Sequence, residues 1–187
     1  MACIRVVGLD PSMAAFGISL GILNLDTGEF DLQCIEVVDT ASSKTKQVRK
    51  NSDDLERARK IQKQLIEMLP GADLVCVEIP VGSQSARAMA SYGMCIGILA
   101  SINIPMIQLT ATELKLAATG NKNATKKDMI DWATSTYPDT MWYSKKVKGQ
   151  RSFTNKNEHV ADATAAIHAG VKTDEFKLMR LAFNAKE

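Results

Sequence analysis

The sequence reads as an α/β protein: a mixed five-stranded sheet, an antiparallel meander joined to parallel strands, with helices on both faces. Three observations carry this reading. Three strand-like runs come first, joined by connections too short for a crossover, so they fold back on one another. Two further strand-like runs follow, each preceded by a helix-length stretch, as parallel pairing requires. The runs Ile4 to Leu9 and Leu74 to Val77 are apolar without alternation, as in strands covered on both faces. The 187 residues suit a single domain over 1–187 with a sizeable core.

The first strand, Cys3-Ile4-Arg5-Val6-Val7-Gly8-Leu9-Asp10, ends in a carboxylate followed by Pro11, which cannot extend a ladder. Phe16 to Leu23 is the second strand, Asp26-Thr27-Gly28 a turn, and Glu29 to Val38 the third strand. Residues 40–50 carry four Lys/Arg and no acid and form a surface loop, a candidate DNA contact. A helix starts at Ser52, with Asp53 and Asp54 favourable to its dipole and Leu55, Ala58, Ile61, Leu65 and Met68 on one face. Pro70-Gly71 ends it. The fourth strand, Leu74 to Glu78, again delivers a carboxylate at its end.

Ser85 to Ile102 is a helix in which Gly93, Gly97 and Ser101 recur every four residues. Small residues at this spacing admit a close helix, from the chain's own core or from a second subunit. Pro105 to Leu109 is the fifth strand. Thr110-Ala111-Thr112-Glu113 has the form of a capping box, and Thr125 caps a further helix that ends near Pro138. Residues 139–157 read as a long basic loop insertion in which Trp142, Tyr143 and Phe153 lie among Lys145, Lys146, Lys148 and Arg151, four candidate DNA-binding residues. Its aromatics either stack on unpaired bases or pin the loop to the core. Asn157 to His168 is the last well-formed helix, and the tail 172–187 holds one more, packing through Phe176, Met179 and Phe183.

Composition narrows the function. Apolar residues make up 45% and charged residues 24%, as in ordinary globular proteins. The net charge is only +2, but nine Lys/Arg and three Asp fall between Lys115 and Lys156, a local excess of six, so the remainder carries four negative charges. Such segregation suits a polyanion on one face and acids kept elsewhere. Cys3, Cys34, Cys76 and Cys95 form no CxxC pair and read as reduced, buried thiols of a cytoplasmic protein, not as a zinc site. The N-terminus lacks the basic-then-apolar pattern of a signal peptide. The uncharged run Ala88 to Thr112 is broken by Asn103, Pro105 and Gln108, which argues against a membrane span.

The chemistry gathers in four residues. His159 and Asp162, three apart, share a helical face. Ala163, Ala165 and Ala166 let that helix lie close to a sheet. Asp10 and Glu78 end strands that the topology makes parallel neighbours. Three carboxylates together repel unless cations neutralise them. An oxygen-rich set with one imidazole suits Mg²⁺, or Mn²⁺ in its place. Two such ions per site activate water and stabilise a leaving oxygen in phosphodiester hydrolysis. Glu158 is an additional acid candidate, although a first-turn role toward the helix dipole suits it better.

These motifs resemble the RuvC-type Holliday junction resolvases of the ribonuclease H-like superfamily over most of the chain. The resemblance runs through Gly8-Leu9-Asp10-Pro11-Ser12 with Gly17, Val77-Glu78, Glu113-Leu114-Lys115 with Thr119-Gly120, Ala124-Thr125-Lys126-Lys127, and His159-Val160-Ala161-Asp162-Ala163. It implies a ribonuclease H-like fold and the catalytic and metal-ligating set Asp10, Glu78, His159 and Asp162, the third being Asp in some members and His in others. It also implies a homodimer built on the helix after Glu78, paired nicks in a four-way junction, and phosphate contacts from Lys115 and Lys126, with Lys122 and Lys127 as weaker candidates. Two departures stand out. Val81 occupies a position where several members carry an aromatic, and the 139–157 segment is longer than usual. Both point to a broader branched-DNA range, including forks and flaps, as in a phage-type member. Two other classes compete: an actin-like phosphotransferase, whose first phosphate loop Gly8 to Gly17 also resembles, and a non-catalytic junction-binding protein on the same fold.

Overall fold

The computed structural model describes residues 2–43 and 49–184. Five strands, β1 (Cys3–Asp10), β2 (Ala15–Asn24), β3 (Phe30–Asp39), β4 (Leu74–Glu78) and β5 (Met106–Leu109), form one sheet in the order β3-β2-β1-β4-β5. β1–β2 and β2–β3 are antiparallel, whereas β1–β4 and β4–β5 are parallel. The meander and the parallel half are therefore both present. The helices are α1 (Lys50–Met68), α2 (Ala86–Ala100), α3 (Ala111–Thr119), α4 (Lys126–Thr136), α5 (Asn157–Gly170) and α6 (Asp174–Asn184).

Strand parity sorts the core into two layers. Ile4, Val6, Leu74 and Cys76 face a layer shared with α3, α4, α5 and α6, through residues such as Leu114, Met129, Ala165 and Phe176. Val7, Leu9, Val75 and Val77 face the other layer, with Ile61 and Leu65 of α1 and Cys95 and Leu99 of α2. Asp10 and Glu78 continue the first parity, so both carboxylates belong to the face that α5 covers. The capping boxes at Thr110–Glu113 and Thr125–Asp128 are both formed.

Several expectations are corrected. α1 begins at Lys50, not Ser52, and its cap residue Arg49 makes no side-chain capping bond. Leu55, assigned to the inward face, is 51% exposed. Asp54 and Arg57 are buried in its stead, because Asp54 forms ion pairs with both Arg57 and Arg87 of α2. Cys76 and Cys95 are buried, but Cys3 and Cys34 are exposed, since they lie on the outer end and the edge strand of the sheet. Most notably, the 139–157 segment is not an irregular loop. It contains an antiparallel hairpin of β6 (Ser144–Val147) and β7 (Gln150–Phe153). In the 40–50 loop, residues 44–48 of the candidate DNA contact lie outside the described residues. Among the described residues, no helix is long and apolar enough to cross a membrane.

Candidate active site

Two glycines fix where α5 crosses the sheet. A Cβ on Gly8 would lie 1.9 Å from the Ala163 carbonyl oxygen, and one on Gly17 would lie 2.2 Å from the His159 carbonyl oxygen. Only hydrogen at these positions lets the α5 backbone rest on β1 and β2. Beneath the helix, the buried Ser19 hydroxyl donates to the Val160 carbonyl oxygen at 3.0 Å and bonds the Thr164 hydroxyl at 2.7 Å. The helix is thereby set in rotation as well as in height.

This seating brings together the residues that the sequence singled out. The β1–β4 register pairs Gly8 with Cys76 and Leu9 with Val77, so the next positions along both strands are Asp10 and Glu78. His159 Nδ1 lies 2.8 Å from Asp10 Oδ2. A cleft of about 230 Å³ is lined by Glu78, Asp162, Glu158, Lys115, Lys126 and Leu114, among others.

Crowding and burial leave their mark on ionisation. Burial pushes the Asp162 carboxyl up to about 8, with Asp10, Glu78 and Glu158 adding to the rise. Glu78 is raised to about 7, chiefly by burial and then by the charge of Asp10. Burial also lifts Asp10 above the ordinary carboxylate value, against the hydrogen bond from His159. The same bond raises the pKa of His159. Carboxyls that resist losing their protons in one another's company are suited to a hard divalent cation, which would remove the repulsion. Among the described residues, no three His, Cys, Asp or Glu side chains converge tightly enough to grip an ion as placed. The fit to Mg²⁺ or Mn²⁺ is thus one of donor chemistry: carboxylate oxygens and one imidazole in a buried recess.

Glu158 stands at the rim of the cleft, 2.7 Å from Lys126 Nζ. Lys115 is half-buried beside Glu78, and Lys126 is exposed. Lys127 is paired with Asp131 on its own helix, while Lys122 is exposed in the loop before Thr125. Lys145, Lys146, Lys148 and Arg151 are not in the cleft; they stand on the hairpin. Val81 is 91% exposed beyond the end of β4.

Thermus thermophilus RuvC superposes with a TM-score of 0.60 at 20% identity, covering 98% of this chain and 96% of that one. In complex with a Holliday junction substrate, it gives a TM-score of 0.63 at 19% identity, with 96% and 97% covered. In sequence, the crossover junction endodeoxyribonuclease RuvC of Salinibacter ruber is 28% identical over 130 residues, 66% of this chain and 67% of that protein. The chain resembles RuvC in sequence and in fold. No family model matches it. Within this RuvC-like frame, the sequence missed two groups of residues. Asn157, wholly buried, exchanges two hydrogen bonds with the Tyr143 backbone and ties the hairpin to the first turn of α5. Arg57 donates to the carbonyl oxygens of Thr40 and Met13 and holds the segment after Asp10. An Asn at a helix start is a visible signal, but its partner is a backbone that only the fold supplies.

Proposed function

We propose that the protein is a metal-dependent endonuclease that resolves four-way DNA junctions by paired phosphodiester hydrolysis. What supports this most is the seating of α5, which sets His159 against Asp10 and Asp162 in one cleft with Glu78, beside Lys115 and Lys126. Asp10, Glu78 and Asp162 would hold Mg²⁺, or Mn²⁺ in its place, with His159 as the fourth ligand. Two such ions per site, when bound, supply an activated water and a sink for charge on the departing oxygen. Lys115 and Lys126 orient the scissile strand by its phosphates, with Lys122 and Lys127 further out, which gives affinity without sequence preference. In this reading Asp10 holds His159 through Nδ1, which leaves the other ring nitrogen to ligate the metal. Glu158 restrains Lys126 and is not itself a ligand.

A homodimer belongs to the same reading. Cβ atoms added to Gly93 and Gly97 would meet nothing within 4 Å, so this stripe of α2 does not face the chain's own core. Met89 and Ile96 are 47% and 48% exposed on the same helix. Two copies joined there carry two sites, one for each of the two strands that paired incision nicks.

The test is cleavage of a plasmid-borne cruciform. With Mg²⁺, linear product formed without accumulation of nicked circles is expected, and chelator should stop it. Equal cutting of linear duplex would contradict the junction assignment. Tight, metal-independent binding without cutting would favour a junction-binding protein.

A further inference from the structure

The β6–β7 hairpin stands out as a charged surface that the catalytic cleft does not use. Its register sets Lys146 directly opposite Arg151 and Lys145 opposite Ser152. Like charges facing each other across a two-stranded ribbon are destabilising, and such a ribbon is marginal in water. No acid among the described residues pairs with Lys145, Lys146, Lys148 or Arg151; Arg151 bonds the Ser144 hydroxyl and lies 5.3 Å from the Phe153 ring. The turn adds to the cost. Lys148 and Gly149 both have positive φ, 50° and 82°, where Asn or Asp is the favoured first residue. A lysine is held there in a strained conformation, and its charge sits at the tip.

The base of this ribbon is rigid. Trp142 is buried and donates through Nε1 to the Tyr137 carbonyl oxygen at 2.8 Å. The Tyr143 hydroxyl accepts from the Val37 amide at 3.1 Å, and Lys156 Nζ lies 4.4 Å from the Tyr143 ring and 2.7 Å from Asp39 Oδ2. Val37 and Asp39 lie toward the end of β3 at the same end of the sheet as Asp10, because β1 pairs antiparallel with β2 and β2 with β3. Asn157, which clasps Tyr143, lies two residues before His159. Lys115 and Lys126 approach the site from α3 and α4, on the β4 side, and the hairpin rises from the β3 side.

We propose that this hairpin is a basic ribbon that enters the major groove of a duplex arm beside the active site, with Lys145, Lys146, Lys148 and Arg151 on the flanking phosphates. The major groove, about 12 Å wide, admits a two-stranded ribbon. Four-residue strands at about 3.3 Å per residue give the hairpin a reach of roughly 13 Å, enough to enter a groove of about 8.5 Å depth. The ribbon rests on the nuclease reading for its substrate.

The test compares wild type with the Lys145→Ala, Lys146→Ala, Lys148→Ala triple variant. All three side chains are exposed, so folding should survive and thermal unfolding checks it. Junction binding is measured in chelator across salt concentrations, with hydroxyl-radical footprints on each arm. The slope of log affinity against log salt is expected to fall by about 2 to 3, at about 0.9 per lost phosphate contact. A protected patch on one arm should disappear while protection around the cut site remains. An unchanged slope and footprint, with wild type still cutting junctions, overturns the ribbon and leaves the nuclease reading intact. A wild type that neither binds nor cuts branched DNA overturns the nuclease reading, and the ribbon with it.

Discussion

Single atoms decide where the chemistry sits. Gly8 and Gly17 have no Cβ because α5 occupies that space. Gly8→Ala is expected to destabilise the fold by about 3 kcal/mol, near the upper end for overpacking, and to reduce cleavage further by lifting Asp162 away from Glu78; denaturant unfolding and a cleavage assay measure the two effects. His159→Asp should keep part of the activity, since Asp also ligates Mg²⁺; complete loss with intact folding would assign the imidazole a proton-transfer role. His168, on the far turn of α5, is structural. Its Nε2 bonds the Tyr137 hydroxyl at 2.6 Å, and Trp132 and Phe30 pack edge-on against its ring. Burial, helped by Lys172, lowers its pKa from 6.5 to about 4. Between those values the unfolded chain binds a proton that the folded chain does not. The contribution is therefore complete above pH 6.5 and lost as pH falls toward 4, about 3 kcal/mol in all. His168→Phe should flatten stability against pH in that window.

At the level of helices and strands, α1 and α2 are coupled by a buried charge cluster. Asp54 receives two hydrogen bonds of 2.5 Å from Arg87 and one of 3.1 Å from Arg57. Arg57 in turn holds the backbone at Met13 and Thr40. Asp54→Ala leaves Arg57 with its charge unpaired and is expected to cost about 3 kcal/mol, read by urea denaturation. This cluster was not legible from the sequence, because charged residues in a helix read as its solvent face and only the fold shows their partners. The hairpin was illegible for a similar reason. Strands with charged residues on both faces show no apolar alternation, and Lys148-Gly149 is a weak turn signal beside Asn-Gly. In contrast, β1, β4 and the two capping boxes were plain, since apolar runs and cap spacing are local. That Asp10, Glu78, His159 and Asp162 would gather was legible because strand ends and helix spacing place them without knowledge of distant contacts; their catalytic role is our proposal.

For the whole molecule, the acid cleft, the basic flanks and the α2 stripe form one arrangement: acids buried under α5, cations on either side of them, and an apolar helix face pointing away. Gly97→Arg, on a face that none of the described residues covers within 4 Å, should leave the fold intact and yield a monomer by light scattering. Paired incision should then decay into single nicks. Retained dimers would place the subunit contact elsewhere.

The decisive measurement is cleavage of a labelled four-way junction in Mg²⁺ by wild type and by Asp10→Asn, with binding measured alongside. The arrangement of Asp10 under His159, beside Glu78 and Asp162, predicts that the variant loses cleavage by about a thousandfold, some 4 kcal/mol of barrier, and still binds the junction as wild type does. An Asp10→Asn protein that cuts junctions at the wild-type rate would contradict it.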